Sequence, residues 1–466
     1  TDLPFGVAGY TENSWIQSPC FDFSRMKRPL VQLDLMKSFV PNLSGAVLQY
    51  QDVIEEGWKT VGLYQGGIEW YNSNSIFNRP GGSSFGWGLN VFVPDTQWKT
   101  SRHELDVVAG KTGIKFRIVI GTNGGQGIGN QGLAVDNFRI AERTRRSVLE
   151  HFTNSMDFMA ISADAMVDQY YLQNNSDVLD LQYHMYYPGL DPMNLNNPDP
   201  PSTRAGTMGV GQVPYALLNG GVSYGHRYDF TSPFSSPGPD ELKLVSLEIP
   251  DFSIDLGVNW LENSMQAEVT VTCEADHYTG NIQLYAAVVE SAVTAYTGAG
   301  GDQLFRNVVL DMLPTQTGKL LGNGWYQGKT GSVDLAWTYR SFVENVEDLG
   351  VIVFIQDRDT REILQAAADF MTPQVGRQPR VSNPVSLEMF PNPAGEVLFI
   401  RLGGDLTGGS LLILTDLSGK VVMEEQVNPG YSLHQLDVSH LECGFYLVNR
   451  VQNGRLKGRG KLVIGR

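Results

Sequence analysis

The sequence predicts a mainly β, multidomain chain with an α/β segment in its middle. Its 466 residues suffice for about three domains of ordinary size. Gly 51, Tyr 19, Phe 21 and Trp 8 favour turn-rich sheet over helical bundles. Short runs of alternating apolar and polar residues recur along the chain between glycine and proline turns, whereas Met159, Ala163, Met166, Val167 and Tyr170 fall at helical spacing.

Charge and cysteine usage narrow the function classes. A formal net charge of −16 repels nucleic acid and anionic membrane, so neither is expected as a partner. The acidity is uneven, because residues 381–466 carry eight acidic and eight basic side chains. Cys20, Cys273 and Cys443 are far apart, with no metal-ligand or redox spacing, and allow at most one bridge. No apolar run approaches the length of a membrane-spanning helix.

Residues 1–142 read as strands broken by glycine turns, among them "LVQLDLM", "GAVLQYQ", "IKFRIVIG" and "GLAVDNFRI", the spacing of a β-sandwich. Gly127, Gly129 and Gly132 satisfy G-x-G-x-x-G, but they join strand to strand, whereas a dinucleotide site must open a helix. A hairpin loop is expected there. The aromatics of "IEWYNSN" and "SSFGWG" suit a sandwich core better than a sugar platform. With "CFDFSRMKRPLVQLDLM" and "GAVLQYQ", this region resembles the jelly-roll modules, akin to MAM and lectin-like domains, of secreted Bacteroidota proteins. The stretch before Cys20 alternates only weakly, and the chain opens at Thr1 without Met or signal peptide. The native product is therefore expected to continue upstream, supplying a missing edge strand or further domains.

After the basic connector "ERTRR", residues 143–240 begin with a buried strand, Val148 to Phe152, running through a turn into the helix named above. "VLDLQYHM" follows as a second strand and "GVGQVPYALLNGG" feeds a third, a βαβ pattern. A helix N-terminus stabilises a thiolate or a carboxylate. Here Asn154 and Ser155 are expected as caps, with Asp157 in the first turn and no cysteine. "VLEHFTN", "YHMYYPGLDP" and "VPYALLNGG" resemble the thioredoxin-like domain of thioredoxin-related outer-membrane proteins of Bacteroidota. In that pattern C-x-x-C would fall on Asp157 and Ala160, and Pro214 matches the cis-proline that faces the dithiol. The resemblance implies the fold without the redox chemistry. His151 and His184 lie on the first two strands and would have to converge near Asp157 to form an acid/base cluster; structural roles are the simpler expectation. Asp191, Asn194, Asn196, Asn197 and Asp199 in the Pro- and Asn-rich insertion, and "QDRDTRE" from Gln356, carry oxygen donors without calcium-loop spacing, and are read as turns. No metal site and no cofactor are expected.

Residues 241–372 alternate again in "MQAEVTVTCEA", "NIQLYAAVVE" and "DLGVIVFIQD" and resemble the β-sandwich that follows the thioredoxin-like domain in the same proteins. Residues 373–384, "PQVGRQPRVSNP", are a linker by composition. Residues 385–466 hold strands "VLFIRL", "LLILTDL" and "FYLVNR", forming a small Ig-like β-sandwich. They resemble the type A C-terminal sorting domain of the type IX secretion system. The matching positions are Phe390, Pro391, Asn392 and Pro393; Asp416, Ser418, Gly419 and Lys420; Leu441, Gly444, Phe445 and Tyr446; and the terminal strand Lys461, Leu462, Val463 and Ile464.

The resemblances imply a cargo exported across the outer membrane to the cell surface or medium, with the type IX translocon and its outer-membrane shuttle barrel as partners. Its own activity reads as non-catalytic binding of a glycan or protein, or surface display. The alternative is a surface enzyme, either a glycan hydrolase or an unconventional thioredoxin-like catalyst. No H-E-x-x-H or G-x-S-x-G supports a hydrolase.

Overall fold

The computed structural model describes residues 12–55, 57–89, 95–122, 132–231, 239–301, 304–371, 385–402, 410–415, 421–427, 432–441, 443–452 and 455–465. The chain divides into two units, Thr1–Pro373 and Gln374–Arg466.

The first unit opens with strands β1 (Glu12–Gln17), β2 (Pro29–Ser38), β3 (Gly45–Asp52), β4 (Lys59–Thr60), β5 (Asp95–Glu104), β6 (Ile114–Thr122) and β7 (Gly132–Glu142). They form two antiparallel sheets, β1-β6-β3-β4 and β5-β2-β7. Between the sheets lies a core that includes Phe23, Leu33, Val47, Trp87 and Phe116. Trp70, Tyr71 and Trp87, expected in this core, are buried there, with Trp87 4.7 Å from Trp70 and 4.8 Å from Tyr71 between ring centroids. The weakly alternating Glu12–Gln17 does form an edge strand, pairing with Arg117–Thr122. Its pattern is weak because an edge strand buries little: Trp15 and Ile16 are 57% and 62% exposed.

Next come β8 (Ser147–Thr153), α1 (Ala160–Asn174), β9 (Val178–His184), α2 (Pro192–Asn196), α3 (Asp199–Met208), β10 (Tyr215–Leu218), β11 (Arg227–Asp229) and α4 (Pro239–Ser246). Strands β8 and β9 are parallel, β10 and β11 antiparallel, in the order β11-β10-β8-β9. The remaining elements of the unit are β12 (Phe252–Trp260), β13 (Ser264–Cys273), β14 (His277–Tyr278), β15 (Ile282–Glu290), β16 (Val308–Leu313), β17 (Lys319–Gly322), β18 (Trp325–Tyr326), β19 (Thr330–Thr338), β20 (Leu349–Asp357) and β21 (Ile363–Phe370).

The sequence boundary near residue 240 does not interrupt the sheet. Strand β16 pairs with β9, so β11-β10-β8-β9-β16-β15-β20-β21 is continuous. One face of its second half packs on the sheet β12-β13-β19 through Val269, Leu284, Val351 and their neighbours. Its other face joins Phe152, Tyr183 and Met208 of the α/β half in one core under α3. Helices α1 and α4 cover the opposite face of the α/β half through Val167, Tyr170 and Leu242. Central strands covered on both faces are buried throughout, as β8, β9, β15 and β20 are.

The second unit contains β22 (Val385–Ser386), β23 (Glu388–Phe390), β24 (Val397–Arg401), β25 (Ser410–Thr415), β26 (Val421–Val427), β27 (Leu433–Asp437), β28 (Gly444–Gln452) and β29 (Arg455–Ile464). Two sheets, β22-β29-β28-β25-β26 and β23-β24-β27, enclose Leu398, Leu412, Leu436, Val448 and Leu462.

Candidate functional site

The turn between β8 and α1 carries Asp157 and leads to Ala160, the two positions that the sequence resemblance sets against C-x-x-C. Helix α1 starts at Ala160, which is buried, so Asp157 precedes the first turn instead of lying within it. Its Oδ1 accepts from the Met159 amide at 3.0 Å and its carbonyl from the Ala160 amide at 3.1 Å. The helix buries Ala163, Val167, Tyr170 and Tyr171, while Met159 and Met166 point outward at 57% and 41% exposure. Short Ala160 and Ala163 let the helix lie close on the sheet, and the methionines stay on its flank. Asn154 ties the turn to the segment after β9: its Nδ2 donates to the carbonyls of Met185 at 2.9 Å and Gly189 at 2.7 Å. The Val213–Pro214 peptide, immediately before β10, is cis.

His151 and His184 do not converge on Asp157. In the parallel register Leu149, His151 and Thr153 share the α1 face of the sheet with Asp180, Gln182 and His184. His151 Nε2 lies 3.1 Å from Asp164 Oδ1, on α1, and the same oxygen accepts from the Thr153 hydroxyl at 2.7 Å. Burial opposes protonation of His151, but Asp164, with Asp180 and Asp168 behind it, raises its pKa. His184 Nδ1 lies 2.9 Å from Asp191 Oδ2, and its Nε2 lies 3.2 Å from Gln182 Oε1. Burial works against the Asp191 carboxylate, yet His184 and the Ser155 amide, at 2.6 Å, bring its pKa down to about 2. Asp180, 2% exposed, is pushed up to about 7 by burial, against the pull of His151. These groups are enclosed between helix and sheet, which makes them a structural polar layer.

The insertion's oxygen donors are dispersed as well. Asp191 caps α2 by accepting from the Met193 and Asn194 amides, Asn194 donates to the His184 carbonyl, Asn196 to the Tyr296 hydroxyl and Asn197 to the Val309 carbonyl. Asp199 opens α3. In the second candidate loop, Asp357 accepts from the Tyr278 hydroxyl at 2.7 Å and from the amides of Asp359 and Thr360. Among the described residues no group of three or more His, Cys, Asp or Glu side chains is arranged to hold a metal.

Beside the cis Pro214 peptide is an open cleft of about 630 Å³, bounded by Met185–Pro188, by Ser202, Ala205 and Gly206 of α3, and by Val210–Val213. Exposed apolar side chains stand on the Met185–Leu190 stretch and on the turn before α1: Tyr186 and Leu190 are 60% and 71% exposed, Phe158 and Met156 75% and 46%. The Asn154 hydrogen bonds hold these two stretches together. The sequence motifs around Met185–Pro188 and Val213 did not mark it as a cleft, because it is assembled from two loops and one side of α3. A second cleft, about 380 Å³, lies at the sandwich edge between β1, β6 and β7, with Asp136 as the sole carboxylate of its lining.

In the second unit the motif residues meet. Phe390 stacks on Phe399 with ring centroids 5.8 Å apart. The Phe390–Pro391 and Asn392–Pro393 peptides are cis. Gly444 pairs with Ile464 and Tyr446 with Leu462, and the Tyr446, Leu441, Leu462 and Ile464 side chains are buried in the core. Phe445 is 61% exposed. Asp416, Ser418, Gly419 and Lys420 lie outside the described residues, as do Gly127 and Gly129 of the glycine-rich loop.

The Secretion system C-terminal sorting domain family matches residues 388–465. No curated protein sequence matches the chain. Among solved structures, HBP35 of Porphyromonas gingivalis is similar at 15% identity, covering 70% of this chain and 100% of its own, with a TM-score of 0.40. A domain of the outer membrane lipoprotein Omp28 from Porphyromonas gingivalis gives 12% identity over 28% of this chain and 93% of its own, with a TM-score of 0.19. A two-domain fibronectin type-III segment from chicken tenascin gives 9% identity over 46% and 98%, with a TM-score of 0.16. The C-terminal domain marks the chain for type IX export across the outer membrane to the cell surface or extracellular space. Among the described residues no helix is long and apolar enough to cross a membrane.

Proposed function

We propose that residues 1–372 of this type IX cargo form a non-catalytic binding body, in which the α/β segment 143–240 is a thioredoxin-like domain converted from redox centre to docking surface. The strand order β11-β10-β8-β9, with α1 between its parallel strands and two antiparallel strands after them, supports the thioredoxin-like reading. The cleft beside Pro214 carries the binding reading. Its volume of about 630 Å³ suits a ligand, and its walls offer aromatic, amide and hydroxyl groups, with Tyr186 and Tyr187 as their titratable side chains. The dithiol positions Asp157 and Ala160 supply no sulfur. The cleft in the first sandwich has one carboxylate, where glycoside hydrolysis ordinarily uses two. The ligand class is a glycan or an extended peptide, either of which uses aromatic rims and amide hydrogen bonds. Export proceeds through the translocon and its outer-membrane shuttle barrel, which engage the sorting domain; the domain is then cut away and the body released or attached to surface glycolipid.

The experiment is a glycan array and a peptide array probed with the full chain and with Gly206→Trp. Gly206 sits on α3 in the cleft wall, and a Cβ there meets nothing within 4 Å, so the indole enters the cleft rather than the core. A ligand held by the parent and lost by the folded variant supports the reading. Chemical turnover of that ligand, or no ligand on either array, refutes it.

A further inference from the structure

The terminal strand β29 is flanked differently on its two sides. On one side β28 pairs with it from Gly444↔Ile464 onward. On the other, β22 reaches only Gly458 and Arg459, and among the described residues no strand runs beside Lys461–Val463. A bare edge of this kind is a template for an added strand.

Here the edge is closed by a side chain. Asn392 Nδ2 donates to the Lys461 carbonyl at 2.8 Å, and Asn392 Oδ1 accepts from the Val463 amide at 2.8 Å. Two residues on, the Ala394 amide donates to the Val463 carbonyl at 2.8 Å and the Gly465 amide to the Ala394 carbonyl at 3.0 Å. A carboxamide holds one donor group and one acceptor in a plane, so it substitutes for the peptide group of a neighbouring strand. Aspartate lacks the donor and alanine lacks both. Pro391 and Pro393, on either side, contribute no N–H of their own. The inward side chains of the same strand, Leu462 and Ile464, are 0% and 2% exposed.

We propose that Asn392 fuses the start motif and the terminal strand into one composite export signal, and that the secretion machinery reads this closed, folded edge instead of taking the strand into a sheet of its own. This rests on the sorting-domain assignment and adds to it the residue that assembles the signal. The edge groups a capturing strand would need are already bonded, and Phe390 and Phe445 stand exposed beside the closure.

The test follows surface delivery of the full-length protein in its native host for the parent, Asn392→Asp and Asn392→Ala, with hydrogen exchange of the purified chains. The Val463 amide reports the clamp and the Val448 amide, in the buried centre of β28, reports the fold. Delivery is expected to fall in the order parent, Asn392→Asp, Asn392→Ala, while Val463 exchange accelerates and Val448 stays protected. Parental or increased delivery of Asn392→Ala overturns the proposal, because an opened edge then serves export as well or better. Lost delivery with Val463 still protected overturns it too. If Asn392→Ala also exposes Val448, Asn392→Asp, which keeps the Val463 acceptor, is judged by the same criteria. Normal delivery of the deletion lacking Lys461–Arg466 would contradict the sorting-domain assignment itself and so separates the two failures.

Discussion

Arg204 of α3 and Glu150 of β8 form a bidentate ion pair at 2.6 and 2.9 Å in the buried centre of the first unit. The third arm of the guanidinium donates to Gln356 of β20 at 2.9 Å, and its plane lies over Tyr285 and Phe354 at 4.7 and 5.1 Å. Burial opposes the charge, yet Glu150 holds Arg204 protonated well above its ordinary range. One side chain thus fastens the α/β segment to the sandwich strands.

Removing one partner leaves the other charged and buried. Arg204→Ala is expected to cost about 3–5 kcal/mol, measured by denaturant unfolding, whereas Glu150→Leu with Arg204→Met should cost far less than either single change. Equal losses from single and double variants would contradict the pairing.

The turn before α1 predicts that thiol chemistry can be introduced there. The parent should show no catalysed insulin reduction, since neither Asp157 nor Ala160 can form a mixed disulfide. Asp157→Cys with Ala160→Cys places an outer thiol before the helix and a buried one in its first turn. The outer thiol should titrate below the usual value for cysteine. Reductase activity in the parent, or an ordinary thiol pKa in the variant, would misplace the helix end.

Stability should depend on pH in a defined direction. Burial raises Asp180 and Glu290 to about 7, although the Asn345 and Glu344 amides partly offset the effect at Glu290. Unfolded, these groups titrate near 4, so between about pH 4 and 7 the native state holds more protons and stability falls as pH rises. His151, raised as well, continues the decline above its ordinary value. Asp191, lowered to about 2, acts oppositely: its stabilisation is present above about pH 4 and lost as pH falls through 2. Asp180→Asn should therefore gain stability relative to the parent between pH 5 and 8 in denaturant titrations. A pH-independent difference would contradict the assigned shift.

The strands and the C-terminal domain were legible because alternation and motif spacing are local. "LVQLDLM" and "IKFRIVIG" become β2 and β6, and the Phe390–Pro393 motif lies against the strand that ends the domain. The polar layer was legible only as alternation. Asp180, Gln182 and His184 look solvent-facing in a half-buried strand, but β9 is covered on both faces, so all three are buried, and Gln182 and His184 meet each other. Arg204 was invisible, since its place in a Pro- and Asn-rich insertion suggests an exposed loop until α3 folds onto the shared sheet. The joining of β9 to β16 depends on a contact between residues 182 and 308, which no local pattern encodes.

Residues 385–466 direct export of this chain. Deleting Lys461–Arg466 removes strand β29's pairing with Gly444–Leu447 and its closure by Asn392. Fractionation of cells making full-length and truncated protein, with residues 373–466 fused to a periplasmic reporter as the converse, measures the claim directly. The full chain and the fusion should be found at the surface or in the medium, and the truncated protein folded but held in the periplasm. Surface delivery of the truncated protein at the full-length level would contradict the claim.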